Sequence, residues 1–289
     1  MERPEWFNET LFPFESHYQD ADGSTIHYLD EGEGPVLLML HDNPTWSFVY
    51  RRMVPYLSDR FRCIAIDYPG FGLSTATEEY EYTPREHAKA VSSFVDALGL
   101  DDITLVLTDW GGPIGLQVAL DRPESIRALI LGNTWAWPRD DAATQAFSSA
   151  LGEGRTGEFL VDRANVFVNV FLKRGMRRRS VTGPEMEMWR GPFLGKGTRV
   201  AVRVLPREQV GSADWLCGIE QRLSEISDTP SLLFWADQDP AFRGAEKRRW
   251  ESILTNRRTY ILRHAGHFWP DDAGPEASLM IRYWWDLVF

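Results

Sequence analysis

Six short, nearly continuous apolar runs recur along the chain, set off by turn-forming residues. Val36–Leu40 follows Gly34-Pro35, Cys63–Ile66 precedes Asp67-Tyr68-Pro69-Gly70, and Ile103–Leu107 follows Asp101-Asp102. Ala128–Leu131, Ser231–Trp235 and Thr259–Leu262 complete the set. Runs this short and this uniformly apolar predict strands buried on both faces, as in a parallel sheet covered by helices. Between them the spacing changes. Ala88, Val91, Phe94, Val95 and Leu98 recur at helical intervals within 84–98, and 113–120 and 245–253 read alike. Strands alternating with helices predict an α/β fold with a doubly wound, mostly parallel sheet.

The rhythm breaks between 139 and 209, a stretch without strand-like runs and rich in Arg, Gly and helix formers. It reads as a helical cap inserted into a core made of 1–138 and 210–289. The basic run Lys173-Arg174-Gly175-Met176-Arg177-Arg178-Arg179 reads as a solvated helix end, with a partner-docking patch as the alternative.

Charge narrows the partners. Lys plus Arg number 31 against 42 Asp plus Glu, a formal charge of −11 with a pI near 5.1. Nucleic acid and acidic membrane surfaces repel such a chain. Two cysteines, Cys63 and Cys217, make no disulfide framework and fit a reducing compartment. The N-terminal MERPEWFNETLFPFE lacks the basic-then-apolar order of a signal peptide, and no run approaches the roughly 20 apolar residues that span a bilayer. A cytoplasmic protein, monomeric or a small homo-oligomer, is expected. Twelve Trp in 289 residues suit either an aromatic-lined pocket or a large aromatic core.

Candidate chemistry lies after the third run. Leu105-Val106-Leu107-Thr108-Asp109-Trp110-Gly111-Gly112-Pro113 goes from strand through a polar break and paired glycines into a helix. A residue on such a turn is exposed at the carboxyl edge of the sheet, the layout of a nucleophile elbow with aspartate as the nucleophile. Alone, Asp109 reads equally well as a helix N-cap. Asp239, in Trp235-Ala236-Asp237-Gln238-Asp239-Pro240, and His267, in His264-Ala265-Gly266-His267-Phe268-Trp269, each follow a later strand. Nucleophile, acid, histidine is the chain order of α/β hydrolases, and all three stand at strand ends, where open α/β sheets bind ligands.

With these pieces the chain resembles the haloalkane dehalogenases of the α/β-hydrolase superfamily over nearly its whole length. The resemblance is carried by His41-Asp42-Asn43-Pro44-Thr45-Trp46, Asp67-Tyr68-Pro69-Gly70-Phe71-Gly72-Leu73-Ser74 and Thr108-Asp109-Trp110-Gly111-Gly112-Pro113. Trp235-Ala236-Asp237-Gln238-Asp239, Ala265-Gly266-His267-Phe268 and the cap segment Met188-Trp189-Arg190-Gly191-Pro192-Phe193 add to it. It implies an α/β-hydrolase fold, with Asp109 as nucleophile, His267 as general base, Asp239 as the acid orienting it, and Asn43 and Trp110 as halide holders. Family members differ in which strand the acid follows; the earlier position here reads Asn133-Thr134-Trp135, without a carboxylate, which favours Asp239. Asp237 and His264 are neighbouring decoys, and His41 is expected to fasten its loop through hydrogen bonds. One departure stands out: Asp42 occupies the place where the family carries glycine.

The implied reaction needs neither metal nor cofactor. A carboxylate, ionised at neutral pH, displaces halide from a small apolar substrate, and histidine-activated water then cleaves the ester. Phe147, Phe167, Phe171 and Leu205 are candidates to line a dry pocket, or are ordinary core. Epoxide hydrolases fit less well, because they use cap tyrosines and none of the nine Tyr falls within the expected cap. Fluoroacetate-type dehalogenases carry an arginine after the nucleophile, absent from Trp110-Gly111-Gly112-Pro113. A β-lactone decarboxylase of olefin synthesis resembles the same branch and stays open, as does a non-enzymatic receptor on this fold.

Overall fold

Each apolar run becomes a strand of one eight-stranded sheet in this computed structural model, which describes residues 3–195 and 197–289. The strands are β1 His17–Ala21, β2 Ser24–Glu31, β3 Val36–Leu40, β4 Arg62–Ile66, β5 Ile103–Asp109, β6 Ile126–Thr134, β7 Ser231–Ala236 and β8 Arg257–Leu262. Their order is β1-β2-β4-β3-β5-β6-β7-β8. From β4 to β8 every neighbour pairs in parallel, whereas β2 pairs antiparallel with both β1 and β4. All seven residues of β5 are buried, as a central strand covered on both faces requires. The edge strand β8 begins with three exposed residues.

The apolar pattern missed the first two strands, because β1 and β2 mix polar with apolar residues. Their signal is in the turn: Asp22 and Gly23 have φ of +50° and +77°, the double left-handed geometry of a two-residue hairpin loop. The C-terminal helix Gly274–Val288 was also unforeseen, although Ala277, Ile281, Trp284 and Trp285 are buried at helical spacing.

Helices cover the sheet. α1, Pro84–Ala97, starts where the sequence marks a helix: the Thr83 hydroxyl accepts the Glu86 N–H, and Pro84 takes the first turn. It packs on α2, Gly111–Asp121, which lies against β5 and β6. Between β6 and β7 the chain is helical in type, including α3, Ala142–Gly152, and the helices Gly183–Arg190, Val200–Gly211 and Ala213–Arg222. Two turns there, Glu158–Arg163 and Phe167–Leu172, are wound as π-helix around Asn165, whose φ is +48°. Among the described residues no helix is long and apolar enough to cross a membrane.

The basic run departs from expectation in its second half. Lys173 and Arg174 are exposed at a helix end, as foreseen. Arg177 and Arg178 donate backbone N–H groups to the two Asp272 oxygens at 3.0 and 2.9 Å. Arg179 pairs with Asp271 at 3.2 Å and also with Glu185. Acid on neighbouring elements, invisible in the local sequence, draws the Arg179 cation inward and ties the backbone of Arg177 and Arg178, residues that stay exposed.

Candidate active site

β5 delivers Asp109 to the carboxyl edge of the sheet, and α2 starts two residues later. Asp109 has φ of +45°, a left-handed conformation that aspartate tolerates better than most residues. The turn is tight enough to need glycine behind it. A Cβ on Gly111 would collide with the Leu40 carbonyl, and one on Gly112 with the Thr134 hydroxyl. That hydroxyl donates to the Asp109 carbonyl oxygen at 2.6 Å, pinning the bend to β6.

Asp109 as a residue is 7% exposed. The Asn43 backbone N–H donates to its Oδ2 at 3.4 Å, and the Trp110 backbone N–H bonds to it as well. Burial raises its pKa above the ordinary value, while His267 and the two N–H groups pull it down. His267 Nδ1 lies 2.9 Å from Asp239 Oδ2. The other Asp239 oxygen accepts the N–H groups of Ala241 and Phe242 at 2.7 and 3.3 Å, so the acid is fixed at both ends. Phe242 stacks on the imidazole with centroids 5.8 Å apart. Burial disfavours the imidazolium, yet Asp239, Asp109 and Asp42 outweigh it and push the His267 pKa up to about 10.

The decoys are engaged elsewhere. Asp237 accepts the His264 N–H at 2.6 Å. Asn133 clamps β6 to β7: its Oδ1 accepts the Ala236 N–H at 2.8 Å and its Nδ2 donates to the Ala236 carbonyl at 3.2 Å. His41 fastens its loop, with Nδ1 2.9 Å from the Asp42 carbonyl and Nε2 accepting the Tyr68 N–H at 3.1 Å. Asn43 Nδ2 donates to the Val202 carbonyl of helix Val200–Gly211 at 3.2 Å, and Asn43 Oδ1 is buried with no partner among the described residues. Trp110 is buried edge-on to Trp135, 4.8 Å between centroids. Phe147, Phe167 and Phe171 pack on one another within 5.2–6.4 Å.

Known proteins resemble the chain in sequence and fold. The family model of the alpha/beta hydrolase fold matches residues 35–273. Haloalkane dehalogenase 2 of Mycobacterium tuberculosis is 37% identical over 265 residues, covering 91% of this chain and 92% of the relative. The chain belongs to the haloalkane dehalogenase family of α/β hydrolases. The crystal structure of haloalkane dehalogenase DbeA from Bradyrhizobium elkani superposes with a TM-score of 0.83 at 25% identity, over 93% of this chain and 99% of that one. A cis-3-alkyl-4-alkyloxetan-2-one decarboxylase of Shewanella oneidensis is 30% identical, covering 95% of this chain and 89% of the relative.

Asp42 lies in the same loop as Asn43. Its side chain is wholly buried; Oδ1 accepts the Thr45 hydroxyl, and Oδ2 has no partner among the described residues. Burial raises its pKa to about 7, with His267 lowering and Asp109 raising it.

The acids behind the histidine were not singled out in the sequence. Asp272 Oδ2 accepts the Gly266 N–H at 2.8 Å, holding the His267 loop to the basic run. Asp271, fully buried, meets Arg51 at 3.0 Å, and Arg51 reaches Glu185 at 2.7 Å. The pair Asp271-Asp272 directly after the histidine motif was the available signal.

Proposed function

We propose that the chain hydrolyses carbon–halogen bonds of small apolar haloalkanes, yielding an alcohol, a halide ion and a proton. One observation carries the reading: a carboxylate on a left-handed turn, two backbone N–H groups on it, beside a histidine held by a second carboxylate.

An Asp109 oxygen attacks the halogen-bearing carbon. The new carbon–oxygen bond forms as the carbon–halogen bond breaks, and the halide leaves with the electron pair. The Trp110 indole N–H and the Asn43 amide N–H not given to Val202 donate to that anion. Esterification removes the Asp109 charge. His267 then loses one of the anions that hold its proton, so its pKa falls and it becomes a usable base.

Water gives a proton to His267 Nε2 as its oxygen bonds to the Asp109 carboxyl carbon. The Asn43 and Trp110 backbone N–H groups, already on this carboxylate, stabilise the oxyanion, each worth about 3–4 kcal/mol. The ester bond to the alkyl oxygen breaks, the imidazolium returns its proton to the alcohol, and the regenerated Asp109 carboxyl releases the net proton. The helices of 139–209 act as the cap over this chemistry, and the unpaired Cys63 and Cys217 suit work in the cytoplasm.

Halide release from a panel of brominated and chlorinated alkanes tests the reading, with Asp109→Ala expected to be silent. His267→Phe should accumulate the alkyl ester on Asp109, seen by mass spectrometry. No halide from the wild-type chain, or an unmodified His267→Phe protein, overturns the scheme. The Shewanella relative supports a second reading, decarboxylation of a cis-β-lactone, which alkene release without halide would establish.

A further inference from the structure

The helix Val200–Gly211 carries a buried proline, Pro206, in its interior. Proline has no N–H, so the carbonyl four residues earlier loses its helical donor, and the ring pushes that carbonyl aside. Four residues before Pro206 stands Val202, wholly buried, where solvent cannot replace the missing donor. The donor comes from the β3 side of the site instead: Asn43 Nδ2 donates to the Val202 carbonyl at 3.2 Å.

We infer that the Val202 carbonyl, released by Pro206, is a positioning group for the Asn43 side chain, turning its amide so that Nδ2 keeps a free N–H for the departing halide. The inference rests on the haloalkane hydrolysis proposed above, in which that N–H receives the anion. A carbonyl oxygen only accepts, so the amide must set Nδ2, never Oδ1, against it. One N–H is spent there and the amide plane is fixed. Asn43 Oδ1 has no partner among the described residues, so no second bond chooses between the two amide orientations. The flipped orientation would offer the halide an oxygen in place of an N–H.

The two halves of Asn43 are thus held from different elements. Its backbone N–H is on the Asp109 carboxylate at 3.4 Å, and its loop is closed by the Thr45 N–H on the Asp42 carbonyl at 2.9 Å. Its side chain hangs on the Pro206 helix. That helix is anchored just past the proline. The Ser148 hydroxyl of α3 donates to the Arg207 carbonyl at 3.2 Å, and a Cβ on Gly152 would meet the Arg207 backbone nitrogen at 2.7 Å. A packed element, not a loop, therefore presents the Val202 carbonyl. The split also separates the chemical steps: ester formation uses the Asn43 amide, and ester cleavage uses its backbone N–H.

Pro206→Ala and Pro206→Gly both return an N–H to position 206, so the Val202 carbonyl can close its helical bond and release Asn43. Bromobutane is mixed with excess enzyme, and formation and decay of the Asp109 ester are followed by rapid quench and mass spectrometry. Both variants should form the ester roughly threefold to tenfold more slowly, part of the about hundredfold that loss of a whole donor brings, and hydrolyse it within about twofold of wild type. The urea midpoint of Pro206→Ala should equal or exceed that of wild type, because alanine is the better helix residue. In an Asn43→Ala background, Pro206→Ala should change ester formation by less than about twofold, since the amide it acts through is gone. Ester formation at the wild-type rate in both proline variants, equal slowing with and without the Asn43 amide, or a midpoint lowered in both overturns the inference and leaves the haloalkane reading intact. Failure of the wild-type chain to form any ester overturns both.

Discussion

The His267 loop touches two clusters of buried carboxylates that behave in opposite ways. On one side Asp42, Asp109 and Asp239 share a single histidine as their cation. On the other, Asp271 and Glu185 share the guanidinium groups of Arg51 and Arg179. Burial works against the charge in both. Arginine never releases its proton, so the second cluster is locked: Glu185 pays the burial cost, yet the Thr182 backbone N–H, Arg179 and Arg51 bring its pKa down to about 2. Histidine does release its proton, so the first cluster is poised: Asp42 sits at about 7 and His267 at about 10. Buried acid alone is therefore no mark of catalysis. The partner's capacity to titrate separates a site from a strut.

The largest effect should come from dismantling the strut. Arg51→Met leaves Asp271 and Glu185 short of a buried partner and should cost about 3–5 kcal/mol in urea unfolding at neutral pH. Loss of less than about 1 kcal/mol would place the two clusters on the same footing.

Next in size is the pH dependence set by His267. Its folded pKa lies above the unfolded value, so its stabilisation is complete below about 6.5 and drains away as pH rises to about 10. His267→Gln should flatten the urea midpoint across that window. Asp42 adds a slope of the same sign, its contribution lost between about 4 and 7, so Asp42→Asn should gain on wild type as pH rises from about 4 to 7 and hold level above that. Glu185 runs the other way: its contribution is present above about 4.5 and disappears only as pH falls toward 2. Arg174→Ala, at the exposed end of the basic run, should move stability by no more than about 0.5 kcal/mol at any pH.

Legibility in the sequence followed the range of the forces. Strands β3 to β7 showed as apolar runs, because burial on both faces leaves no polar alternation, while the edge strand β8, exposed over its first three residues, showed only in its apolar second half. β1 and β2 lie at the antiparallel end of the sheet and mix polar with apolar positions, so Asp22-Gly23 was their only mark. Asp109, Asp239 and His267 were found through their places after strands, and the structure sets the latter two 2.9 Å apart. The strut was not readable. Arg51, the stretch from Arg179 to Glu185, and Asp271 come from three separate segments, and nothing near Arg179 in the chain says that its other partner, Asp271, is 92 residues away. The backbone tie of Arg177 and Arg178 to Asp272 is a tertiary fact of the same kind.

The Asn133 clamp limits how this chain can be rewired. Its amide both gives to and takes from Ala236, stitching the ends of β6 and β7 just below the site. Moving the histidine's acid to the β6 end would put a carboxylate in that slot. A carboxylate still accepts the Ala236 N–H but has nothing to offer the Ala236 carbonyl. Transplanting the acid from one strand to its neighbour therefore unpicks a stitch of the sheet, and a second substitution must re-sew it before the relocated acid can serve.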